Sequence, residues 1–295
     1  MQGLVLINKP QGITSFSAVS KIKWLAGEKR VGHTGTLDPI ATGLLPIFVG
    51  RATALCSVML DADKSYIATA RLGITTDSAD ITGNVLSECH PDVSREMLEE
   101  ALSRFLGTTN QTPPMYSAIK KDGIRLYQLA REGKTVEIEP REITISRIEL
   151  LDFSGDTFSI AVDCSKGTYI RSLCRDIGEI LGCGATMTAL CRTATGGFDL
   201  SQAVSLDDLS KENFCTHLLS EERAISHLKE VFVTKKQAVR FSNGGQLSYE
   251  RLKETNFASG ELLRIKCENT LIGVGIADNE KEQIAIKCLL NIWSE

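Results

Sequence analysis

Gly32-His33-Thr34-Gly35-Thr36-Leu37-Asp38-Pro39-Ile40-Ala41-Thr42-Gly43-Leu44-Leu45 is the stretch on which the reading of this chain turns. It is rich in Gly and Thr, holds a single carboxylate, Asp38, and runs into the apolar segment Leu44 to Val49. Residues 31–50 read as a long loop leading into that segment, and loops of such length inside a compact domain are usually functional. Taken alone, Asp38-Pro39 is also ordinary turn punctuation. His33 alone reads as a structural hydrogen-bonder, Arg171 as a surface residue at a helix start and Tyr66 as a core strand residue. Periodicity does not separate these bland readings from catalytic ones.

Outward from the loop, Gly3 to Ile7 reads as a short strand turning at Asn8-Lys9-Pro10-Gln11-Gly12. Ser15 is placed to cap a helix with Phe16, Val19, Ile22 and Leu25 at three-residue spacing, ended by Gly27. Tyr66 to Leu72 alternates as a strand, and Ser94 caps an amphipathic helix through Leu98, Ala101, Leu102 and Phe105, closed by Gly107. A short helix is expected near Ile124 to Arg131. Ile143 to Phe153 and Thr157 to Val162 read as paired strands about Ser154-Gly155-Asp156, and residues 170–181 as a helix stopped by Gly182. After an acidic linker near 205–230, short alternating segments (Val231 to Val233, Leu262 to Ile265, Leu271 to Ile276, Gln283 to Ile286) point to a small, mainly β domain.

The 295 residues, 42% hydrophobic and 24% charged, suit an ordinary globular chain with a core that needs no disulfide or metal. No apolar run nears the ~20 residues that span a bilayer, and no leader is legible, so a cytoplasmic protein is expected. The nine cysteines contain no Cys-x-x-Cys pair and read as reduced, mostly buried thiols. Four histidines stand at no metal-ligand spacing, and Asp77 and Asp80 do not fit a calcium loop. Phosphate-cradling and dinucleotide-binding glycine motifs are absent, so neither a metal nor a cofactor is implied. The net charge of −4 argues weakly against nucleic acid, but its distribution matters more. Residues 1–60 carry six Lys/Arg against two Asp/Glu, and 119–134 carry five against two, whereas 61–112 carry four against nine.

Taken whole, the string from Gly32 to Leu45 resembles the catalytic loop of TruB-type tRNA pseudouridine synthases. Six further segments resemble the same family in the same order. They are Asn8 to Ser15, Asp63-Lys64-Ser65-Tyr66, Thr76-Asp77-Ser78-Ala79-Asp80, Pro113 to Lys120, Lys166 to Leu173 and Leu190-Cys191-Arg192-Thr193. The resemblance spans about residues 3–198, and seven ordered segments make coincidence implausible.

The resemblance implies an α+β fold: a mixed, largely antiparallel sheet with flanking helices, plus a small PUA-like C-terminal domain. The boundaries expected are 1–225 for the catalytic domain, with an RNA-gripping insertion at about 114–142, and 231–295 for the PUA-like domain. It implies conversion of uridine 55 in the T-loop of tRNA to pseudouridine by base flipping, N-glycosidic cleavage and reattachment through C5. The electron-poor sugar carbon calls for a carboxylate, as in glycoside hydrolysis, and Asp38 matches it. Arg171 would pair with Asp38 and hold it ionised. Tyr66 would stack on the base and assist proton loss at C5. Leu190 and Tyr169 would line the pocket, His33 would position RNA, Lys9 would support the catalytic loop or meet substrate, and Lys120 and Arg131, with Lys121 and Arg125, would grip phosphates. The expected partner is the T-arm of tRNA, with a monomeric enzyme and no obligate protein partner. Two alternatives stay open: a related synthase acting on another RNA, and a catalytically silent RNA-binding or tRNA-chaperone module.

Overall fold

The computed structural model describes residues 1–134 and 136–291, the Arg131 side chain excepted. Strand β1 (Gly3–Lys9) shows how the layers are built, because successive side chains of a strand point to opposite faces. Val5 and Ile7 enter one apolar cluster, with helices packed on it, while Leu4 and Leu6 enter a second on the other face.

Helix α1 (Ser15–Ala26) follows, buried along Ala18, Val19, Ile22 and Leu25, and Gly27 closes it in the left-handed conformation. Its cap is Thr14, whose side chain accepts from the Ser17 N–H, and not the expected Ser15. Ser15 is turned inward instead. The expected long loop at 31–50 is largely strand: β2 (Val31–His33) and β3 (Thr42–Val49) pair antiparallel and leave only residues 34–41 irregular. Helix α2 (Cys56–Met59) is a single turn before β4 (Lys64–Leu72), and β5 (Ile74–Thr76) pairs with β6 (Val85–Glu88). Helix α3 (Arg95–Ser103) is capped by Ser94 as expected but ends before Gly107, which opens β7 (Gly107–Gln111). The insertion contains a small hairpin, β8 (Lys120–Lys121) with β9 (Ile124–Arg125), and helix α4 (Leu126–Arg131). Strands β10 (Arg141–Ser154) and β11 (Thr157–Cys164) form the expected hairpin, and helix α5 (Ile170–Ile180) comes next. Strand β12 (Ala185–Thr195) has no counterpart in the sequence reading; β13 (Phe198–Asp199) and β14 (Val204–Ser205) follow.

The large sheet runs β14-β1-β3-β12-β4-β11-β10-β7, with β2 on β3 and β13 on β12. Two of its pairings are parallel, β1 with β14 and β12 with β3. Helices α1, α3 and α5 cover the Val5 face through Ile22, Leu98 and Ile177. The stretch read as an acidic linker is a packed strap. Leu206, Leu209 and Phe214 enter the helix-side core, Leu219 bridges to Leu4, and Ala224 and Ile225 enter the opposite cluster.

A second sheet runs β15-β17-β18-β19-β16, from β15 (Lys229–Phe232), β16 (Leu247–Ser248), β17 (Leu262–Cys267), β18 (Thr270–Asp278) and β19 (Gln283–Leu289). Helix α6 (Lys235–Ser242) packs Phe241 into this sheet's own core. The protein is thus α+β with a β-rich C-terminal part. Residues 292–295 of the expected C-terminal domain lie outside the described residues.

Candidate active site

Side chains from helices α1 and α5 converge on the loop at 34–41. Ser15 holds it from α1: its hydroxyl donates to the Leu37 carbonyl at 3.0 Å and accepts from the Leu37 N–H at 2.8 Å. The Gly12 N–H donates to the Pro39 carbonyl at 2.8 Å, and the Asp38 carbonyl accepts from the Ala41 N–H at 3.0 Å. The loop leaves through the parallel pairing of β3 with β12, where Gly43 lies opposite Arg192. A Cβ at Gly43 would meet the Arg192 carbonyl oxygen at 2.3 Å, on a backbone with φ +104°, so glycine is required there.

Arg171 comes from the first turn of α5, whose start is fixed by Gln111. That amide accepts from the Tyr169 N–H at 2.8 Å and donates to the Tyr169 carbonyl at 3.1 Å. From there the Arg171 Nε lies 3.0 Å from Asp38 Oδ2. Its Nη2 donates to Asp38 Oδ1 at 3.4 Å and to the Tyr116 carbonyl at 2.8 Å, and its Nη1 to the Ser78 carbonyl at 3.1 Å, with Asp80 Oδ2 at 3.5 Å. The Asp38 side chain is 35% exposed and Arg171 only 6%, so the carboxylate faces the cleft and the arginine backs it. Asp80 is itself pinned by Ser78 and Thr82.

Burial pushes the Asp38 carboxyl above its usual range; Arg171 opposes this, Asp80 adds to it and Lys9 opposes it. Desolvation outweighs the pairing with Arg171 in this balance. Lys9 is fully buried and donates to the Pro10 and Ile13 carbonyls, both at 2.8 Å, under the loop. Burial pulls its ammonium down to about 8, Asp38 opposing and Arg192 adding.

Asp38 and Arg171 stand where two clefts meet. An inner one of about 320 Å³ is lined by Asp38, Tyr66, Tyr169, Arg171, Leu190 and Arg192. An outer one of about 680 Å³ has Asp38, His33, Phe16, Arg125, Tyr127 and Arg171 on its walls. Burial raises the Tyr66 phenol, with Arg192 opposing through charge and a hydrogen bond. Burial also lowers His33, which favours the neutral imidazole, and among the described residues its Nδ1 has no hydrogen-bond partner.

The structure therefore brings together Asp38, Arg171, Tyr66, Leu190 and Tyr169, places His33 in the adjoining cleft, and puts Lys9 beneath the loop. Lys120 and Lys121 are exposed on the insertion hairpin and line neither cleft, while the Arg131 side chain lies outside the described residues. Sequence reasoning missed four residues. Asp80 stands in the sequence only as a poor calcium ligand and a motif member, and Arg192 only as a motif member. Ser15 was read as a cap, and Phe16, 77% exposed at the cleft rim, only as a spacing mark.

Comparison with known proteins places this geometry among relatives. Residues 23–170 match the family model of the TruB family pseudouridylate synthase N-terminal domain, and residues 171–233 that of the tRNA pseudouridylate synthase B C-terminal domain. The tRNA pseudouridine synthase B of Francisella tularensis subsp. tularensis (strain WY96-3418) is 50% identical over 237 residues, 80% of this chain and 77% of that one. That of Azoarcus sp. (strain BH72) is 45% identical over 278 residues, 93% and 91% of the two chains. Among solved structures, a chain of a Cbf5-Nop10-Gar1 complex superposes with a TM-score of 0.76 at 28% identity, covering 97% of this chain and 83% of that one.

Proposed function

The chain belongs to the TruB family of pseudouridylate synthases, and from that premise we propose that it isomerises uridine 55 in the T-loop of tRNA, with Asp38 as its catalytic carboxylate. The observation that carries the assignment is the Asp38–Arg171 pair at the junction of the two clefts. A flipped nucleotide can put its base in the inner cleft and its sugar at Asp38, with the strand continuing through the outer cleft.

At that junction Asp38 meets the sugar carbon as it becomes electron-poor during N1–C1′ cleavage. Arg171, held by three backbone or carboxylate partners besides Asp38, fixes the carboxylate's direction at little reorganisation cost. Leu190 and Tyr66 enclose the freed base while it turns, keeping water from the reactive sugar. Tyr66 then assists loss of the C5 proton. The outer cleft, with Arg125 and the neutral His33, receives the flanking nucleotides, and the Lys120–Lys121 hairpin meets phosphates of the T-arm. We further propose that the protein acts as a monomer, without an obligate protein partner.

Tritium release from a T-arm stem-loop labelled at uridine C5 tests this reading. Wild type is expected to release tritium to water, and Asp38→Asn to bind the stem-loop but release none. Undiminished release by Asp38→Asn would remove Asp38 from the mechanism. Binding by wild type without any release would favour a silent RNA-binding module instead.

A further inference from the structure

Arg192 is among the largest fully buried side chains in the protein, 1% exposed. A guanidinium taken out of water is costly unless an anion or a full set of acceptors meets it. Its Nε donates to the Leu44 carbonyl at 2.8 Å and its Nη2 to the Gly35 carbonyl at 3.1 Å, both on the segment that carries Asp38. Among the described residues no carboxylate pairs with it, and the group that shares its charge across the sheet is the Tyr66 hydroxyl. The two residues lie directly opposite each other on β12 and β4, and both face the inner cleft. Around them stand Lys9, His33 and Lys64, with Asp38 and Cys164 on the other side of the balance.

A buried cation without a carboxylate, directly opposite a tyrosine in a reaction cleft, offsets part of what burial costs negative charge on that oxygen. We propose that Arg192 is a positioning residue for the reaction: it fixes the Tyr66 oxygen and stabilises its anionic form, which takes the proton from C5 of the reattached base. The proposal rests on the reading of the inner cleft as the uridine site. Tyr66 first loses its proton to solvent. Once C5 is bonded to C1′, the C5–H bond breaks and its proton passes to the Tyr66 oxygen. The electron pair of that bond forms the C5–C6 double bond, and the C6–N1 π pair moves onto N1. N1 takes a proton from solvent, so proton count and redox state are unchanged. The carbonyl contacts of Arg192 tie this oxygen to the loop that places Asp38, so the two reactive groups keep their separation through the turn of the base.

The test compares wild type, Arg192→Met, Tyr66→Phe and the double variant on a T-arm stem-loop carrying either protium or deuterium at uridine C5. Arg192→Met is expected to lower kcat by about 100-fold, the range of a lost proton-transfer contribution, while the stem-loop Kd is unchanged. Its C5 deuterium isotope effect is expected to rise toward a full primary effect, because proton loss becomes the slow step. The double variant is expected to be no slower than Tyr66→Phe. An isotope effect equal to that of wild type, or losses that multiply in the double variant, would overturn the proposal. Arg192→Gln guards against a folding defect, since it keeps an amide donor toward Leu44 and Gly35 but lacks the charge. It too must show the raised isotope effect, and wild-type kcat with a wild-type isotope effect there would also overturn the role. Absence of turnover in wild type would instead overturn the uridine reading itself.

Discussion

Asp38 is held by an arginine yet titrates above an ordinary aspartate, because desolvation outweighs the ion pair. In the proposed mechanism its working form is the carboxylate, so turnover is expected to fall with pH earlier than an exposed aspartate would allow. A kcat profile recorded between about pH 4 and 8 checks this, and an acid limb in the ordinary carboxylate range would contradict it. Lys9 gives the opposite sign and a stability signature. Its pKa falls from 10.5 in the open chain to about 8 in the fold. Below that range the folded protein carries the desolvation penalty of the ammonium, on the order of 3 kcal/mol by linkage. Between about 8 and 10.5 the unfolded chain holds the proton that the folded one has released, so stability rises with pH across that window. Denaturant melts of wild type against Lys9→Met are expected to show wild type gaining in relative stability over the window. A flat difference would mean that the ammonium is solvated.

At the scale of elements, one side chain of α1 and one glycine of β3 help to hold the loop that carries Asp38. Ser15→Ala removes both hydrogen bonds to Leu37 and leaves a buried N–H unpaired, which costs about 1–3 kcal/mol. We expect a lower Tm and a fall in kcat larger than any change in RNA affinity; an unchanged kcat would show that the loop is held elsewhere. Gly43→Ala sets a Cβ against the Arg192 backbone and is expected to disrupt the β3–β12 pairing, seen as faster amide exchange at Cys191 and Arg192. The helices with regular apolar spacing, α1, α3 and α5, were legible from the sequence because their periodicity reports one buried face. Strand β12 was not legible. It is central, pairs on both sides, and mixes Thr186, Thr188 and Arg192 with its apolar residues, so neither alternation nor an apolar run marks it. Ser15 was misread by one position because Thr14 satisfies the same local capping rule, and the choice between them was made by Leu37, twenty-two residues away.

For the whole molecule, the two sheets share an apolar layer in which Leu4, Phe48 and Leu55 meet Leu271, Val274 and Leu290. RNA affinity should fall as salt rises despite the acidic pI, because the basic segments 1–60 and 119–134 release counterions on binding. Stem-loop binding titrated across salt concentrations measures that slope, and a flat line would argue against phosphate contacts. The sequence by itself determined the family through seven ordered motifs, the α+β character, and Asp38 as the carboxylate to examine. Local order carried those, since each motif is a run of neighbours in the chain. The tertiary structure decided what stands behind Asp38: Asp80 bracing Arg171, Lys9 beneath the loop, and Arg192 against Tyr66. It also turned a reputed linker into a strap across the sheet. Asp80 and Arg171, and Tyr66 and Arg192, lie about 90 and more than 120 positions apart, and the state of Lys9 depends on how much water burial removes; neither quantity is written in any local run of the chain.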